Sequence, residues 1–322
     1  MKPSRETVRE RPRRHARPIA ILLPIVFFAS IYGLGEAYRR EDFRDSLRAR
    51  HGCLLPPRAV LDKRDASHEY RTVALMNEGE VSVTASLKTP IERNRRYPAL
   101  VILGGLRTGH RTVDYLGQTS GLVLLCIDYP YTGKREGLTA WEFLRAVPAI
   151  RLAILETVPA VMLGVDYLLS RDDVDPDRIV IAGGSLGALF APAAVACDDR
   201  IAAAALLLGA GDIERLARAN INAPALLAAP AAWAVAVLTA PVEPLDYVGR
   251  ISPRPVFMLS ATGDPRIPLE CSRLLHETAR EPKTIRWIGA GHVSVRDREF
   301  HALIGRELLD WLAAEELIAE DR

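Results

Sequence analysis

An apolar run, Ile179–Ala182, leads without interruption into Gly183-Gly184-Ser185-Leu186-Gly187 and then into the helix-forming Ala188-Leu189-Phe190. A strand that turns at once into a helix crowds the backbone, so the positions two before and two after the serine must lack bulk, and Gly183 and Gly187 meet that demand. A chain built on such a turn needs a sheet whose strands end at helix N-termini. The surrounding pattern agrees. From Pro98 onward the apolar runs Ala99–Leu103, Leu122–Ile127, Ala202–Leu208, Val256–Leu259 and Thr284–Ile288 are continuous rather than alternating, as in strands buried on both faces of a parallel sheet. Helical patterns lie between them, as strand–helix alternation requires. The expected fold class is α/β, with a mostly parallel central sheet and helices on both faces.

Ahead of these runs, Tyr70–Met76 and Glu80–Leu87 are short β-branched segments split by Asn77-Glu78-Gly79, which predicts a hairpin at the start of the sheet. Leu138–Leu169 is long and largely apolar, and Pro148 and Pro159 predict two or more helices there. Its charges, Glu142, Arg145, Arg151, Glu156 and Asp166, argue against a membrane span. Pro192 predicts a kink in the helix after Ser185. Phe300, Leu303, Ile304, Leu308, Trp311 and Leu312 recur at helical spacing and mark the inner face of a last helix. Residues 213–250 interrupt the alternation and include the nearly charge-free Ala223–Pro241, where a small cap insertion is expected.

The N-terminus has a different character. Lys2, Arg5, Arg9, Arg11, Arg13, Arg14 and Arg17 precede Pro18–Gly35, which holds no charge. Eighteen helical residues rise about 27 Å, just under a typical ~30 Å hydrocarbon core. A minimal membrane anchor fits, and so does a signal peptide, with small residues at Gly35 and Ala37 for cleavage. The basic excess before the run favours a cytoplasmic N-terminus and a body outside the cytoplasm, periplasmic or extracellular, or secreted if the segment is removed. A buried or interfacial helix is the remaining reading. The expected organisation is residues 1–38 as basic segment and anchor or signal, 39–69 as linker, and 70–322 as one catalytic domain with a cap at about 213–250.

At the turn, the Ser185 hydroxyl stands at a helix N-terminus, where backbone N–H groups favour developing negative charge. The Leu186 amide is one expected oxyanion donor. The second is expected after the first long parallel strand, in Gly104-Gly105-Leu106, with Gly105 preferred. A serine needs a base. Of seven histidines, His292 in Gly289-Ala290-Gly291-His292 lies between the last strand and the last helix, on a loop able to reach the serine. His110, just after a strand end, is the other candidate; His276 and His301 fall within helical patterns. The base needs a carboxylate: Asp264 follows the strand Val256–Leu259, and Asp212, ending the preceding strand, is the alternative acid.

Other chemistries lack support. The net charge of +2 is small and the arginine excess lies in the first fifty residues, so nucleic acid is not an expected partner. Four cysteines show no metal-site or disulfide-scaffold spacing, and the dinucleotide, phosphate-loop and zinc-protease motifs are missing. His110 and Asp114 make an incomplete metal site. No cofactor is expected, and the pattern sets no oligomeric state.

The Ser, Asp, His order of these loops resembles the α/β-hydrolase family, especially its dienelactone-hydrolase-like and prolyl-oligopeptidase-like esterases. Asp173-Val174-Asp175-Pro176-Asp177-Arg178-Ile179, Asp246-Tyr247-Val248 and Ile251-Ser252-Pro253-Arg254-Pro255 are similar to phrases of those groups, over about residues 70–317. The resemblance implies an esterase, thioesterase, acyltransferase or peptidase. The expectation is therefore a serine hydrolase that cleaves a small-molecule carboxylic ester or thioester through an acyl-enzyme. A peptidase or aminoacyl hydrolase on the same residues is one alternative, and a catalytically silent membrane-attached binding protein is another.

Overall fold

Residues 16–92, 95–114, 119, 121–292 and 297–318 are described by the computed structural model. The chain divides into two units, Met1–Glu41 and Asp42–Arg322. In the first, α1 (Ala16–Arg39) is a 24-residue helix on which Val26, Phe27, Phe28, Tyr32 and Leu34 are exposed. The basic positions from Lys2 to Arg14 lie outside the described residues.

In the second unit, α2 (Arg44–Ala49) and the strand β1 (Arg58–Arg64) occupy the stretch expected to be a linker. Leu47 of α2 is fully buried, and Arg48 donates to the carbonyls of Ala196 and Cys197. Ordered lead-in follows from that contact, which short-range pattern does not reveal. β1 pairs antiparallel with β2 (His68–Met76), and β2 with β3 (Ser82–Pro90), giving the expected hairpin. The rest of the sheet comprises β4 (Tyr97–Leu103), β5 (Val123–Ile127), β6 (Val174–Gly184), β7 (Ala203–Leu207), β8 (Val256–Ala261) and β9 (Lys283–Ile288). Its order is β1-β2-β3-β5-β4-β6-β7-β8-β9, parallel from β5 to β9. Every residue of β4, β5, β7 and β8 is buried, which is why those runs do not alternate.

The helices α3 (Ala140–Leu169), α4 (Leu186–Cys197), α5 (Ile213–Asn220), α6 (Ala225–Thr239), α7 (Pro244–Tyr247), α8 (Leu269–Thr278) and α9 (Arg298–Ala314) flank the sheet. The proline-based expectation for Leu138–Leu169 is corrected: α3 is one 30-residue helix containing both Pro148 and Pro159. A capping box closes its start, with Thr139 and Glu142 bonding each other's backbone N–H. Each interior proline costs about 3 kcal/mol, and burial of Ala153, Ile154 and the run Thr157–Val165 offsets it. α4 likewise continues through Pro192. Residues 213–250 hold α5, α6 and α7.

Two helical stretches among the described residues are apolar and long enough to cross a membrane, Ala140–Leu169 and Ala225–Arg250. In the first, 72% of an apolar 18-residue window is buried within the protein.

Candidate active site

The register of the parallel strands brings their carboxyl ends to one edge: Leu103 pairs with Gly183, Gly183 with Leu206, and Gly184 with Leu207. Ser185 sits between β6 and α4 with φ 52° and ψ −109°, a conformation that L-residues adopt at a cost of about 1–3 kcal/mol. Packing enforces it. A Cβ on Gly187 would collide with the Leu103 carbonyl, and one on Gly183 with the Gly187 backbone. The Ser185 amide is tied to the Leu207 carbonyl at 2.8 Å. The strained turn therefore holds the hydroxyl out over the sheet edge.

Ser185 Oγ lies 2.9 Å from His292 Nε2, and His292 Nδ1 lies 2.6 Å from Asp264 Oδ2. The two histidine contacts use opposite ring nitrogens, so an Nδ1–H donated to Asp264 leaves Nε2 free to accept the serine proton. Asp264 follows β8, and its side chain is 2% exposed. Its other oxygen accepts from the amides of Arg266 (2.8 Å) and Ile267 (3.0 Å). Burial opposes its ionisation, but the bond to His292, these amides and the imidazole charge outweigh it and hold the carboxyl below the usual carboxylate range. A buried anion is thus fixed beside the imidazole.

The structure does not bring Asp212 to His292. Asp212 caps α5, accepting from Arg215 N at 3.0 Å and pairing with Arg215 Nε at 3.1 Å. His110 likewise turns away from the serine, with Nδ1 3.2 Å from Asp128 Oδ2, while Arg135 pairs with the other Asp128 oxygen at 2.9 Å. His276 is buried behind β8 with Nε2 3.0 Å from Ser260 Oγ; burial, then the nearby Lys283 charge, pushes its pKa down to about 4.

Gly105 passes so close to the nucleophile that a methyl group on it would stand 4.0 Å from Ser185 Cβ. Among the described residues, neither its amide nor that of Leu186 donates to a protein acceptor, which leaves both N–H groups for a ligand oxygen. The loop that carries Gly105 is tethered. Its carbonyl accepts from Thr108 N and Gly109 N, each at 3.1 Å, and the buried Tyr129 hydroxyl donates to the Gly104 carbonyl. Tyr129 packs on Phe190 of α4, ring centroids 5.7 Å apart, and burial raises its phenol pKa.

A cavity of about 390 Å³ opens over Ser185 and His292. Arg107, Glu136, Arg266 and His301 give it a polar side, and Leu106, Leu186, Leu207 and Ile304 an apolar one. Sequence reasoning missed Tyr129, Arg266 and His301 as parts of this region. Only the Asp264 loop hinted at Arg266, and nothing local marked the other two. Among the described residues no cluster of His, Cys, Asp and Glu is suited to a metal.

Comparison with known proteins bears on the same region. A model of the prolyl oligopeptidase family matches residues 150–315, which contain Ser185, Asp264 and His292. The uncharacterized protein YfhR of Salmonella typhi is 27% identical over 171 residues, 50% of this chain and 51% of that protein, so the match spans about half the length of this curated relative. Among solved structures, an acetyl xylan esterase from a Paenibacillus species superposes with a TM-score of 0.65 at 18% identity, covering 84% of this chain and 93% of the other. Acetyl xylan esterase 1 from a Thermoanaerobacterium species gives 0.60 at 15% identity, covering 85% and 98%. An esterase from an Arctic intertidal metagenomic library gives 0.54 at 20% identity, covering 79% and 96%. These likenesses establish the α/β-hydrolase fold.

Proposed function

Because this chain belongs to the prolyl oligopeptidase family of α/β-hydrolase-fold proteins, we propose that it is a serine hydrolase cleaving a carboxylic ester or thioester, with Ser185, His292 and Asp264 as its triad. The carrying observation is the unbroken chain Ser185 Oγ–His292 Nε2, His292 Nδ1–Asp264 at 2.9 and 2.6 Å, set on a strained turn. Ser185 Oγ attacks the carbonyl carbon as His292 Nε2 takes its proton, and the carbonyl electron pair moves onto oxygen, met by the Gly105 and Leu186 amides. Collapse breaks the bond to the leaving alkoxide or thiolate, which takes the proton from His292. A water then repeats the sequence, forming the acid and freeing Ser185. Asp264 holds the imidazole tautomer and stabilises its cation without taking the proton.

The esterase names of several solved neighbours favour an ester over an amide. A panel of ester, thioester and aminoacyl-amide substrates tests this reading: turnover of the first two, lost in Ser185→Ala, is expected, whereas cleavage confined to the amides would make the chain a peptidase.

We also assign the catalytic unit to residues 70–322 together with α2, β1 and the start of β2, which join the same unit, with 213–250 as a cap, and the N-terminal segment to membrane attachment with the catalytic unit outside the cytoplasm. α1, at 24 residues, rises about 36 Å, enough for a ~30 Å hydrocarbon core, and its described side chains leave phenylalanines exposed. Proteolysis of intact spheroplasts should digest the catalytic unit. Its survival there would place it inside, and a mature N-terminus near Tyr38 would mean that the segment is a cleaved signal.

A further inference from the structure

A second cavity, of about 280 Å³, lies between α3 and α4 and has an almost wholly apolar wall. Phe143, Ile150, Ala153 and Ile154 of α3 face Leu189 and Phe190 of α4 across it. Leu106 and Leu186 line both this cavity and the one over Ser185, so the two adjoin beside the nucleophile.

The polar groups around the second cavity are already engaged elsewhere. Thr157 Oγ1 donates to the Ala153 carbonyl at 2.7 Å and Thr239 Oγ1 to the Val235 carbonyl at 2.8 Å. Tyr129 is bound to Gly104, Lys134 pairs with Glu142 and Arg135 with Asp128. A polar ligand entering here would lose its water and find few partners, at a cost of about 1–3 kcal/mol for each unmet group. An aliphatic one loses nothing.

We propose that this cavity is the acyl site and takes an unbranched aliphatic acyl chain of medium length, while the leaving group occupies the polar side of the cavity over Ser185. The inference rests on the serine hydrolase reading and goes beyond it by assigning the two halves of the substrate. The assignment of halves follows from proton transfer. The leaving atom must receive its proton from His292 Nε2, so it lies on the imidazole side, where Pro265, Arg266 and His301 also line the wall. None of those residues lines the apolar cavity. The acyl substituent therefore points away from His292, past Leu106 and Leu186. An engineered apolar cavity of about 150 Å³ accepts a six-carbon ring, which by proportion gives this one, at about 280 Å³, room for roughly eleven carbons.

The test is a matrix of p-nitrophenyl esters from acetyl to dodecanoyl, with acetates of lengthening n-alcohols, on the full chain and two variants. In the wild type kcat/KM should rise about fourfold per acyl methylene up to about eleven carbons, then level or fall, and the alcohol series should stay flat. Ala153→Phe, which fills the cavity from α3, should lower the octanoyl-to-acetyl ratio of kcat/KM at least tenfold. Phe143→Ala removes a half-exposed wall with little risk to folding and should lower the same ratio severalfold. A flat acyl profile, a rise in the alcohol series instead, or ratios unchanged in both variants would overturn the assignment. Fluorophosphonate labelling of Ser185 separates the two levels: a labelled enzyme with a flat profile loses only the acyl site, whereas no labelling and no turnover removes the hydrolase reading as well.

Discussion

Replacing Asp264 by Asn keeps the volume of the side chain and changes one oxygen into a donor. In the structure that side chain is 2% exposed and joined to His292 Nδ1 at 2.6 Å, with its other oxygen taken by two backbone amides. Those amides require the remaining Asn oxygen to stay where it is, so the Asn NH₂ faces His292 and forces the imidazole into the tautomer with its proton on Nε2. That nitrogen no longer accepts from Ser185. The equivalent change in a serine protease lowers kcat about 10⁴-fold, roughly 5 kcal/mol, and a loss of that order is expected here. Asp212→Asn is the control. Asn caps a helix as well as Asp does and tolerates the left-handed backbone (φ 59°), so its loss should stay below about tenfold, near 1.4 kcal/mol. Steady-state kcat on one short ester for both variants, with circular dichroism to show intact folding, decides between them. A nearly dead Asp212→Asn beside an active Asp264→Asn would refute the reasoning, and heavy losses in both would call for the double mutant.

Tyr129→Phe strands the Gly104 carbonyl that the hydroxyl holds and should cost about 1–3 kcal/mol of stability; as a positioning change behind the Gly105 amide it should lower kcat more than it raises KM, and an unaltered kcat would remove that role. Gly187→Ala drives a methyl group into the Leu103 carbonyl and should destabilise by at least about 2 kcal/mol, read by urea denaturation. His276 is held neutral, its pKa pushed down to about 4 by burial and then Lys283. Its contribution to stability is therefore present above the unfolded value near 6.5 and lost as pH falls from there toward 4, amounting to about 3 kcal/mol at most; His276→Gln should flatten that part of the pH–stability curve, and an unchanged slope would show that other groups set it.

The parallel sheet was legible because strands buried on both faces are written as unbroken apolar runs. Ser185 and Asp264 were legible for a related reason, each standing in a glycine-containing loop just after such a run, while His292 follows the glycine-rich end of the half-exposed edge strand β9; strand ends in a parallel sheet share one edge. The structure places these three side chains within hydrogen-bonding distance, and it shows Asp212 engaged at a helix start instead. What stayed hidden depends on contacts distant in sequence. Pro148 and Pro159 read as breaks because their cost is local, while the burial that carries α3 past them is not. α2 reads as linker because Arg48 finds its partners, the carbonyls of Ala196 and Cys197, far along the chain, and β1 because it is exposed along its whole length and carries no buried-face pattern, although it pairs with the neighbouring β2. Tyr129, Ala153 and Phe190 come from a loop, α3 and α4, and only folding brings them to the wall of one cavity.

The central claim, a nucleophile at Ser185 activated by His292, is met most directly by mass spectrometry after treatment with a fluorophosphonate. One adduct per chain is expected, mapped to the peptide that carries Ser185, absent from Ser185→Ala and strongly slowed in His292→Ala, with both variants keeping the wild-type unfolding midpoint to within a few degrees. An adduct on another serine, or undiminished labelling of Ser185→Ala, would contradict the account.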